Sequence, residues 1–153
     1  ERGRRSGTEN VACIFGFGKA CEFAKDEISD QQKSLFCIRE YLFEKLSKIK
    51  GVYLNGHPDK RVSNTLNIGF EDIEGESLVM NLDLEGIAVS TGSACSEGNV
   101  DPSHVLLAMG LGKKEAISSL RISFGKFTEQ NEIEKIIEVL PKIVERIRGF
   151  KEF

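Results

Sequence analysis

A stripe of branched apolar residues near the end of the chain restricts the fold more than any other pattern in the sequence. It consists of Ile133, Ile136, Ile137, Leu140, Ile143, Val144 and Ile147. This recurrence at three and four residues predicts an amphipathic helix, whose apolar face needs other elements to pack against. Thr128 is predicted to be its N-cap. Pro141 predicts a kink or a loosened turn, because its ring blocks one backbone hydrogen bond.

A second helical stripe runs through residues 33–50. It consists of Leu35, Ile38, Leu42, Leu46 and Ile49. The preceding segment, 11–25, is apolar and contains no proline, so this part of the chain is predicted to form two long helices or one bent helix. Cys13, Cys21 and Cys37 lie in these apolar runs and are predicted to be small core residues.

The remaining elements are short and alternate between strand and helix patterns. Strands are predicted at Val52–Leu54, Thr65–Phe70, 87–90 and 120–124, and helices at 76–84, from the Asp101 cap to Gly110, and at 113–118. Leu84, Val105 and Met109 are expected to face the core. Helices packed on one face of a small, mostly antiparallel sheet satisfy this order, so the predicted fold class is α+β.

The composition excludes several classes of protein. The 153 residues are 40% hydrophobic and 29% charged with a formal net charge of -3, so neither a disordered chain nor a nucleic-acid partner is expected. No apolar run approaches the roughly 18 residues of a membrane span, so no membrane partner is expected. None of the four cysteines forms a CxxC pair, and reduced thiols in a cytoplasmic protein are the expectation.

Cys95 is the strongest candidate for chemistry. Small residues surround it: Gly92, Ser93, Ala94, Ser96 and Gly98. They predict an accessible loop, and the helix that follows would favour a thiolate near its N-terminus. A nucleophilic cysteine and a solvent-facing cysteine in a turn both remain open on residue chemistry alone.

Three other features have weaker signals. Arg121 opens a half-buried strand, where a charge indicates either a sheet edge or a carboxylate partner. Arg4, Arg5 and Thr8 precede a helix and form either an anion cradle or a frayed terminus. His104 is expected to be a surface residue near Cys95 rather than a catalytic one.

Five segments of the chain form a recognisable series. They are Arg-Arg-Ser-Gly-Thr-Glu-Asn at 4–10, Ser-Asn-Thr-Leu-Asn at 63–67, Ser-Thr-Gly-Ser-Ala-Cys-Ser at 90–96, Asp-Pro-Ser-His-Val-Leu at 101–106 and Leu-Arg-Ile-Ser-Phe-Gly at 120–125. In this order they resemble the C-terminal part of the NifS/IscS-type cysteine desulfurases, which are pyridoxal-phosphate enzymes of aminotransferase class V. The resemblance covers essentially the whole chain. It implies the C-terminal domain of fold-type I pyridoxal-phosphate enzymes.

The resemblance implies a role for three residues. Cys95 matches the nucleophile that takes sulfur from L-cysteine as a persulfide, leaving L-alanine. Arg121 matches the arginine that binds the substrate carboxylate. Thr8 matches the threonine that reaches the pyridoxal 5'-phosphate of the other subunit, which implies a homodimer. The form of the Cys95 loop further implies delivery of sulfur to an iron–sulfur scaffold or another acceptor, as in tRNA thiolation, with Cys95 as a shared iron–sulfur ligand in some complexes.

One motif of the family is missing. The lysine that holds the cofactor belongs to a Ser-x-His-Lys motif upstream of the Arg-Ser-Gly-Thr segment, and no such motif occurs in the 153 residues. Residues 1–153 are therefore predicted to be a single C-terminal small domain with bridging helices, cut from a longer protein and inactive alone. A persulfide carrier or acceptor-docking module without cofactor chemistry is the alternative, and a structural domain with an incidental cysteine is a third.

Overall fold

A computed structural model describes residues 6–92 and 101–149 of the chain, and these contain five helices and three strands. In chain order they are α1 (Val11–Leu46), β1 (Val52–Leu54), β2 (Thr65–Phe70), α2 (Gly75–Leu84), α3 (His104–Ala108), α4 (Lys113–Ile117), β3 (Ser119–Ser123) and α5 (Gln130–Gly149). The α+β class is confirmed.

The sheet is antiparallel throughout, in the order β1-β2-β3. Leu54 lies opposite Ile68, and Ile68 lies opposite Leu120. Because side chains alternate between the two faces of a strand, this register places the apolar residues of all three strands on one face. That face is covered by α1, α2 and α5, as the sequence predicts.

The core joins that sheet face to the two predicted helical stripes. Its fully or nearly fully buried members include Leu42, Leu46, Leu66, Ile68, Phe70, Leu78, Leu82, Leu120, Ile133, Leu140 and Val144. Helix α5 runs uninterrupted through Pro141. It begins at Gln130 rather than directly after Thr128, whose hydroxyl instead accepts a hydrogen bond from the Gly125 N–H at 2.9 Å.

Helix α1 is one helix of 36 residues rather than two. Its second half packs on the core, whereas residues 11–30 are all exposed. The prediction that Cys13, Cys21 and Cys37 are core residues is wrong, because all three are exposed and free. Cys13 and Cys21 lie where α1 extends beyond the core, and Cys37 lies two residues after the buried Leu35, on a different face of the helix.

Several shorter predictions also need correction. The predicted strand at 87–90 reduces to a single bridge between Ser90 and Arg121. Leu84, Val105 and Met109 are exposed rather than buried. Ser103, not Asp101, is the residue at the N-cap position of α3. In the described parts of the chain, no helix combines the length and apolar character needed to cross a bilayer.

Candidate functional site

The face of the sheet that turns away from the core is polar. Arg121 in β3 lies opposite Asn67 in β2, and the N–H of Asn55 donates to the Asn67 carbonyl at 3.0 Å. On the other side of β3, Arg121 pairs with Ser90. Residues paired across an antiparallel sheet share a face. We call Asn55, Asn67, Arg121 and Ser90 the polar row.

Hydrogen bonds fix one end of the polar row. The Asn55 side-chain amide donates to Asn67 Oδ1 at 2.7 Å and to Ser119 Oγ at 2.9 Å. Ser119 in turn donates to the Glu115 carbonyl at 2.8 Å. Both Asn55 and Ser119 are buried. This network holds the Asn67 side chain beside Arg121, since its acceptor oxygen is already engaged.

Arg121 is half-buried and has a free head group. Its backbone makes both bonds of the bridge, the Ser90 N–H donating to its carbonyl at 3.1 Å and its own N–H donating to the Ser90 carbonyl at 2.6 Å. Among the residues that the structure describes, no carboxylate or other side chain binds its guanidinium. β3 is the last strand in the sheet order, but the bridge to Ser90 covers its outer edge at Arg121. Arg121 therefore lies near the sheet edge, and the alternative of a carboxylate partner is not met among the described residues.

The segment that carries Cys95 starts and ends at this face. Cys95 itself lies outside the described residues, but Gly92 and Ser103 on either side of the segment lie against each other. A Cβ added to Gly92 would be 3.3 Å from Ser103 Cβ. Gly92 follows Ser90 by two residues, and the Ser90 hydroxyl donates to the Gly92 carbonyl at 3.3 Å. The described residues on either side of the segment are therefore close together, and Gly92 lies two residues after Ser90, the partner of Arg121.

Tyr53 extends the polar face toward the first strand. It lies opposite Gly69, and a Cβ added to Gly69 would overlap the Tyr53 ring. Burial raises the pKa of the Tyr53 phenol above its ordinary value of 10.0, and the charges of Glu115 and Glu71 raise this pKa further. The phenol is therefore neutral near pH 7.

Thr8 lies far from the polar row along the chain. It is exposed just before α1, where the Asn10 side chain caps the helix by accepting the Cys13 N–H at 3.3 Å. The helix rises about 1.5 Å per residue, so its start lies roughly 36 Å along the axis from Leu35, the first buried residue. Among the described residues, no hydrogen bond or ion pair joins Thr8 to Arg121. Arg4 and Arg5 lie outside the described residues.

The two histidines behave as surface residues. His104 is exposed at the start of α3. His57 Nδ1 accepts the backbone N–H groups of Asp59 and Lys60, each at 3.0 Å, and so stabilises a turn. Over 6–92 and 101–149, no group of three or more His, Cys, Asp or Glu could hold a metal ion. The iron–sulfur prediction concerns Cys95, which lies outside those ranges.

Sequence reasoning missed the supporting residues of the polar row. Asn55 directly follows the predicted strand Val52–Leu54 and Asn67 lies within the predicted strand Thr65–Phe70, but the sequence patterns identify neither as a candidate site residue. The alternation in Thr65–Phe70 places Asn67 on the face opposite Leu66, which was the available signal. Its alignment with Arg121 depends on the register between two strands more than fifty residues apart.

Comparisons with known proteins agree with this architecture. The profile of the aminotransferase class-V family matches residues 1–136. Cysteine desulfurase IscS 1 of Archaeoglobus fulgidus is 45% identical over 149 residues, covering 97% of this chain and 39% of that protein. Cysteine desulfurase IscS of Methanosarcina thermophila is 46% identical over 149 residues, covering 97% of this chain and 37% of that protein.

A solved structure supports the same assignment. The NifS-like protein from Rickettsia africae ESF-5 superposes with a TM-score of 0.79 at 35% identity, covering 92% of this chain and 36% of that one. This chain thus spans less than two fifths of the length of these relatives. Taken together, these matches show that the chain belongs to the aminotransferase class-V family and is related over nearly its whole length to cysteine desulfurases of the IscS/NifS type.

Proposed function

We propose that this chain is the C-terminal small-domain part of a pyridoxal-phosphate-dependent cysteine desulfurase, a sulfurtransferase that converts L-cysteine to L-alanine and holds the sulfur as a persulfide on Cys95. The observation that carries the proposal is the backbone pairing of Ser90 with Arg121. This pairing ties a candidate carboxylate-binding residue to the segment that bears the nucleophile. Cys95 follows Gly92 by only three residues, which is about 10 Å of extended chain.

Arg121 is suited to bind the substrate carboxylate. A guanidinium presents parallel N–H donors that match the two oxygens of a carboxylate. The Arg121 head group has no acceptor among the described residues, so it is available for a ligand. Asn67, with its oxygen engaged by Asn55, keeps its N–H donors beside Arg121. The polar row would therefore orient the amino acid by its carboxylate.

The residues before α1 fit the phosphate of the cofactor. The Thr8 hydroxyl is exposed immediately before the N-terminus of a 36-residue helix, and Gly7 has a positive φ of 89°. Hydroxyls and N–H groups at a helix N-terminus favour a phosphate. When bound, pyridoxal phosphate supplies the electron sink that weakens the C–S bond of cysteine. The distance along α1 between Thr8 and the core is compatible with a phosphate held across a dimer interface.

Cys95 would perform the sulfur transfer. Its thiolate forms a bond with the substrate sulfur, the substrate C–S bond breaks, and the former Cβ takes up a proton, so that L-alanine leaves and Cys95 carries S–SH. Cys95 is five residues from Ser90, the partner of Arg121, so the short connection would favour the reaction by proximity of nucleophile and substrate. The persulfide would then pass to an iron–sulfur scaffold, where Cys95 can share in ligating a cluster, or to another acceptor.

The remainder of the machinery would lie outside this chain. The matched relatives are more than twice as long, and the Ser-x-His-Lys motif expected for the cofactor lysine is absent from residues 1–153. We therefore propose a homodimeric parent with a separate large domain, and an inactive isolated chain. Exposed, unpaired Cys13, Cys21 and Cys37 favour a reducing, cytoplasmic setting.

A chimaera tests the proposal directly. Residues 1–153 would replace the matched part of the Archaeoglobus fulgidus relative, and alanine release from L-cysteine and the intact mass would be measured. We expect alanine production and one additional sulfur on Cys95, with Cys95→Ser losing both while the cofactor absorbance is kept. A folded, cofactor-binding chimaera that makes no alanine would contradict the proposal.

The isolated chain separates this proposal from the carrier alternative. Mixed with pyridoxal phosphate and L-cysteine, it should gain no sulfur, because the cofactor lysine is missing. A carrier would accept sulfur on Cys95 from a separate desulfurase. Sulfur transfer to the isolated chain together with an inactive chimaera would therefore favour the carrier alternative.

A further inference from the structure

A groove of about 880 Å³ lies between α1 and the segment 61–64 that leads into β2. Its walls are apolar at Ile28, Phe36 and Val62 and polar at Ser63 and Asn64. None of these residues belongs to the polar row. The proposed sulfur transfer therefore gives this groove no role.

Arg61, which also lines the groove, has unsatisfied donors. Its side chain is only 12% exposed, and its Nη2 donates to Glu40 Oε1 at 2.9 Å. Its Nε and Nη1 are buried and have no hydrogen-bond partner among the described residues. Buried donors almost always have a partner, since removing a charged donor from water without one is costly. These two atoms therefore point to an acceptor that the described residues, 6–92 and 101–149, do not supply.

The charges around Arg61 favour an anion. Glu40 Oε1 also binds the buried Arg39 at 2.9 Å, so one carboxylate serves two guanidiniums. Lys33 also lines the groove, but it pairs with Asp30 at 3.2 Å, so the excess of positive charge lies on the two guanidiniums. No Asp or Glu is among the described residues that line the groove. The local excess of positive charge would be offset by one further carboxylate.

The size and lining of the groove indicate a peptide rather than a small ion. Its volume far exceeds that of a single carboxylate or phosphate group. Phe36, whose ring also stacks below the Arg39 guanidinium at 4.8 Å, and Val62 are 48% and 65% exposed, respectively. A free anion would leave these apolar surfaces in water, whereas an apolar side chain next to the acidic residue would cover them.

We propose that this groove binds an acidic peptide segment whose carboxylate accepts hydrogen bonds from Nε and Nη1 of Arg61. The source is the part of the polypeptide that the relatives carry outside the matched region. This chain covers only 39% of the Archaeoglobus fulgidus relative, so more than half of that polypeptide is available to pack against the groove. The inference rests on family membership and not on the role of Cys95.

Peptide binding to the 153-residue chain tests the proposal. Overlapping peptides from the unmatched part of the Archaeoglobus fulgidus relative would be titrated by calorimetry, with sodium acetate and sodium phosphate as small-anion probes. We expect a peptide with Asp or Glu beside an apolar residue to bind. Replacing that acid by its amide should weaken binding by about tenfold, because a charge-assisted pair is lost.

Variants of the chain locate the binding site. Arg61→Gln should remove the preference for the acidic peptide over its amide, and Arg61→Lys, which keeps the charge but loses the fork, should reduce it. Lys60→Gln is the matched control, since Lys60 is the exposed neighbour and does not line the groove. The proposal would be overturned if no peptide binds, or if acid and amide peptides bind equally. It would also be overturned if acetate or phosphate displaces the peptides equally, or if neither Arg61 variant changes binding. A chimaera that produces no alanine, together with normal peptide binding to the groove, would contradict the proposed function but not this inference.

Discussion

At the scale of single residues, Gly75 is the position where backbone packing is tightest between α2 and the start of β3. Gly75 begins α2, where a Cβ would lie 2.5 Å from the Ser119 carbonyl oxygen, 2.9 Å from that of Ile117 and 3.0 Å from Thr91 Cγ2. These neighbours are two backbone atoms and the residue that follows Ser90. The absence of a side chain at Gly75 thus lets α2, β3 and the start of the Cys95 segment approach one another.

Gly75→Ala should destabilise the fold. Because carbonyl oxygens of the backbone cannot move aside as a flexible side chain can, we expect a loss of about 1–3 kcal/mol in the free energy of unfolding. Gly125→Ala is the control, since nothing lies within 4 Å of the added methyl group, and it should change stability by less than about 0.5 kcal/mol. Urea denaturation of both variants measures this, and equal midpoints would refute the packing argument.

The prediction for Arg121 concerns its proposed role in binding the substrate carboxylate. In the chimaera, Arg121→Ala should raise the KM for cysteine by about tenfold or more and also lower kcat, because a substrate without its carboxylate anchor is misoriented. Cofactor absorbance and thermal stability should stay near those of the parent chimaera, which separates substrate binding from a structural effect.

Arg146→Ala provides the control for Arg121. The Arg146 guanidinium is exposed and donates to Asn81 Oδ1 at 2.6 Å, and it belongs to α5 on the core side of the sheet. Its loss should leave the KM for cysteine unchanged. An unchanged KM in Arg121→Ala would remove Arg121 from the substrate site.

At the scale of elements, α1 divides into two parts with different energetic roles. Its second half contributes Leu35, Leu42 and Leu46 to the core. Its first half presents large apolar side chains to solvent, including Phe15 at 69% and Phe17 at 73% exposure. Helical stability in proteins comes mostly from packing, so the first half depends on whatever covers it.

Truncation of apolar side chains in the two halves should have different consequences. Leu42→Ala should cost about 2–5 kcal/mol of stability, because Leu42 is fully buried and its loss leaves a cavity. Phe17→Ala should cost less than about 0.5 kcal/mol in the isolated chain, because the ring already contacts water. Thermal or urea unfolding of the chain distinguishes them, and a large loss in Phe17→Ala would show that the first half packs on the core.

At the scale of the whole molecule, ion pairs and hydrogen bonds between elements make the free energy of unfolding sensitive to pH in the alkaline range. The Tyr41 phenol on α1 donates to Glu134 Oε1 on α5 at 2.9 Å, and this hydrogen bond raises the pKa of Tyr41 above its ordinary value of 10.0. The hydrogen bond and charge of Asp72 raise the pKa of Lys114 above 10.5. In both cases the folded state holds its proton more tightly than the unfolded state.

Stability should therefore fall as the pH rises through about 10 and above, where the unfolded chain releases these protons first. Tyr41→Phe removes the Tyr41 contribution, so its urea midpoint should fall less than that of the unchanged chain between about pH 8 and about pH 11. A parallel fall in both proteins would contradict the assigned role of the Tyr41–Glu134 contact.

The sequence by itself determined the elements with strong local patterns and the family. Residue periodicity predicts the strands Thr65–Phe70 and Val52–Leu54 and the apolar stripes of α1 and α5. This is possible because the spacing of apolar side chains indicates which face of an element is buried. The five segments that occur in order between residues 4 and 125 were sufficient to indicate the cysteine desulfurase family, since their residues can be read directly from the chain.

Only the tertiary structure decided which apolar residues are buried and which polar residues lie next to one another. Cys13 and Leu84 have apolar neighbours in the sequence yet are exposed, because burial depends on what packs against them and not on local composition. Strand register places three polar residues next to one another: Asn67, Arg121 and Ser90. The Arg61 side chain is buried because α1 packs beside it. These are long-range contacts, so their energies are set by the folded chain as a whole rather than by any segment of it.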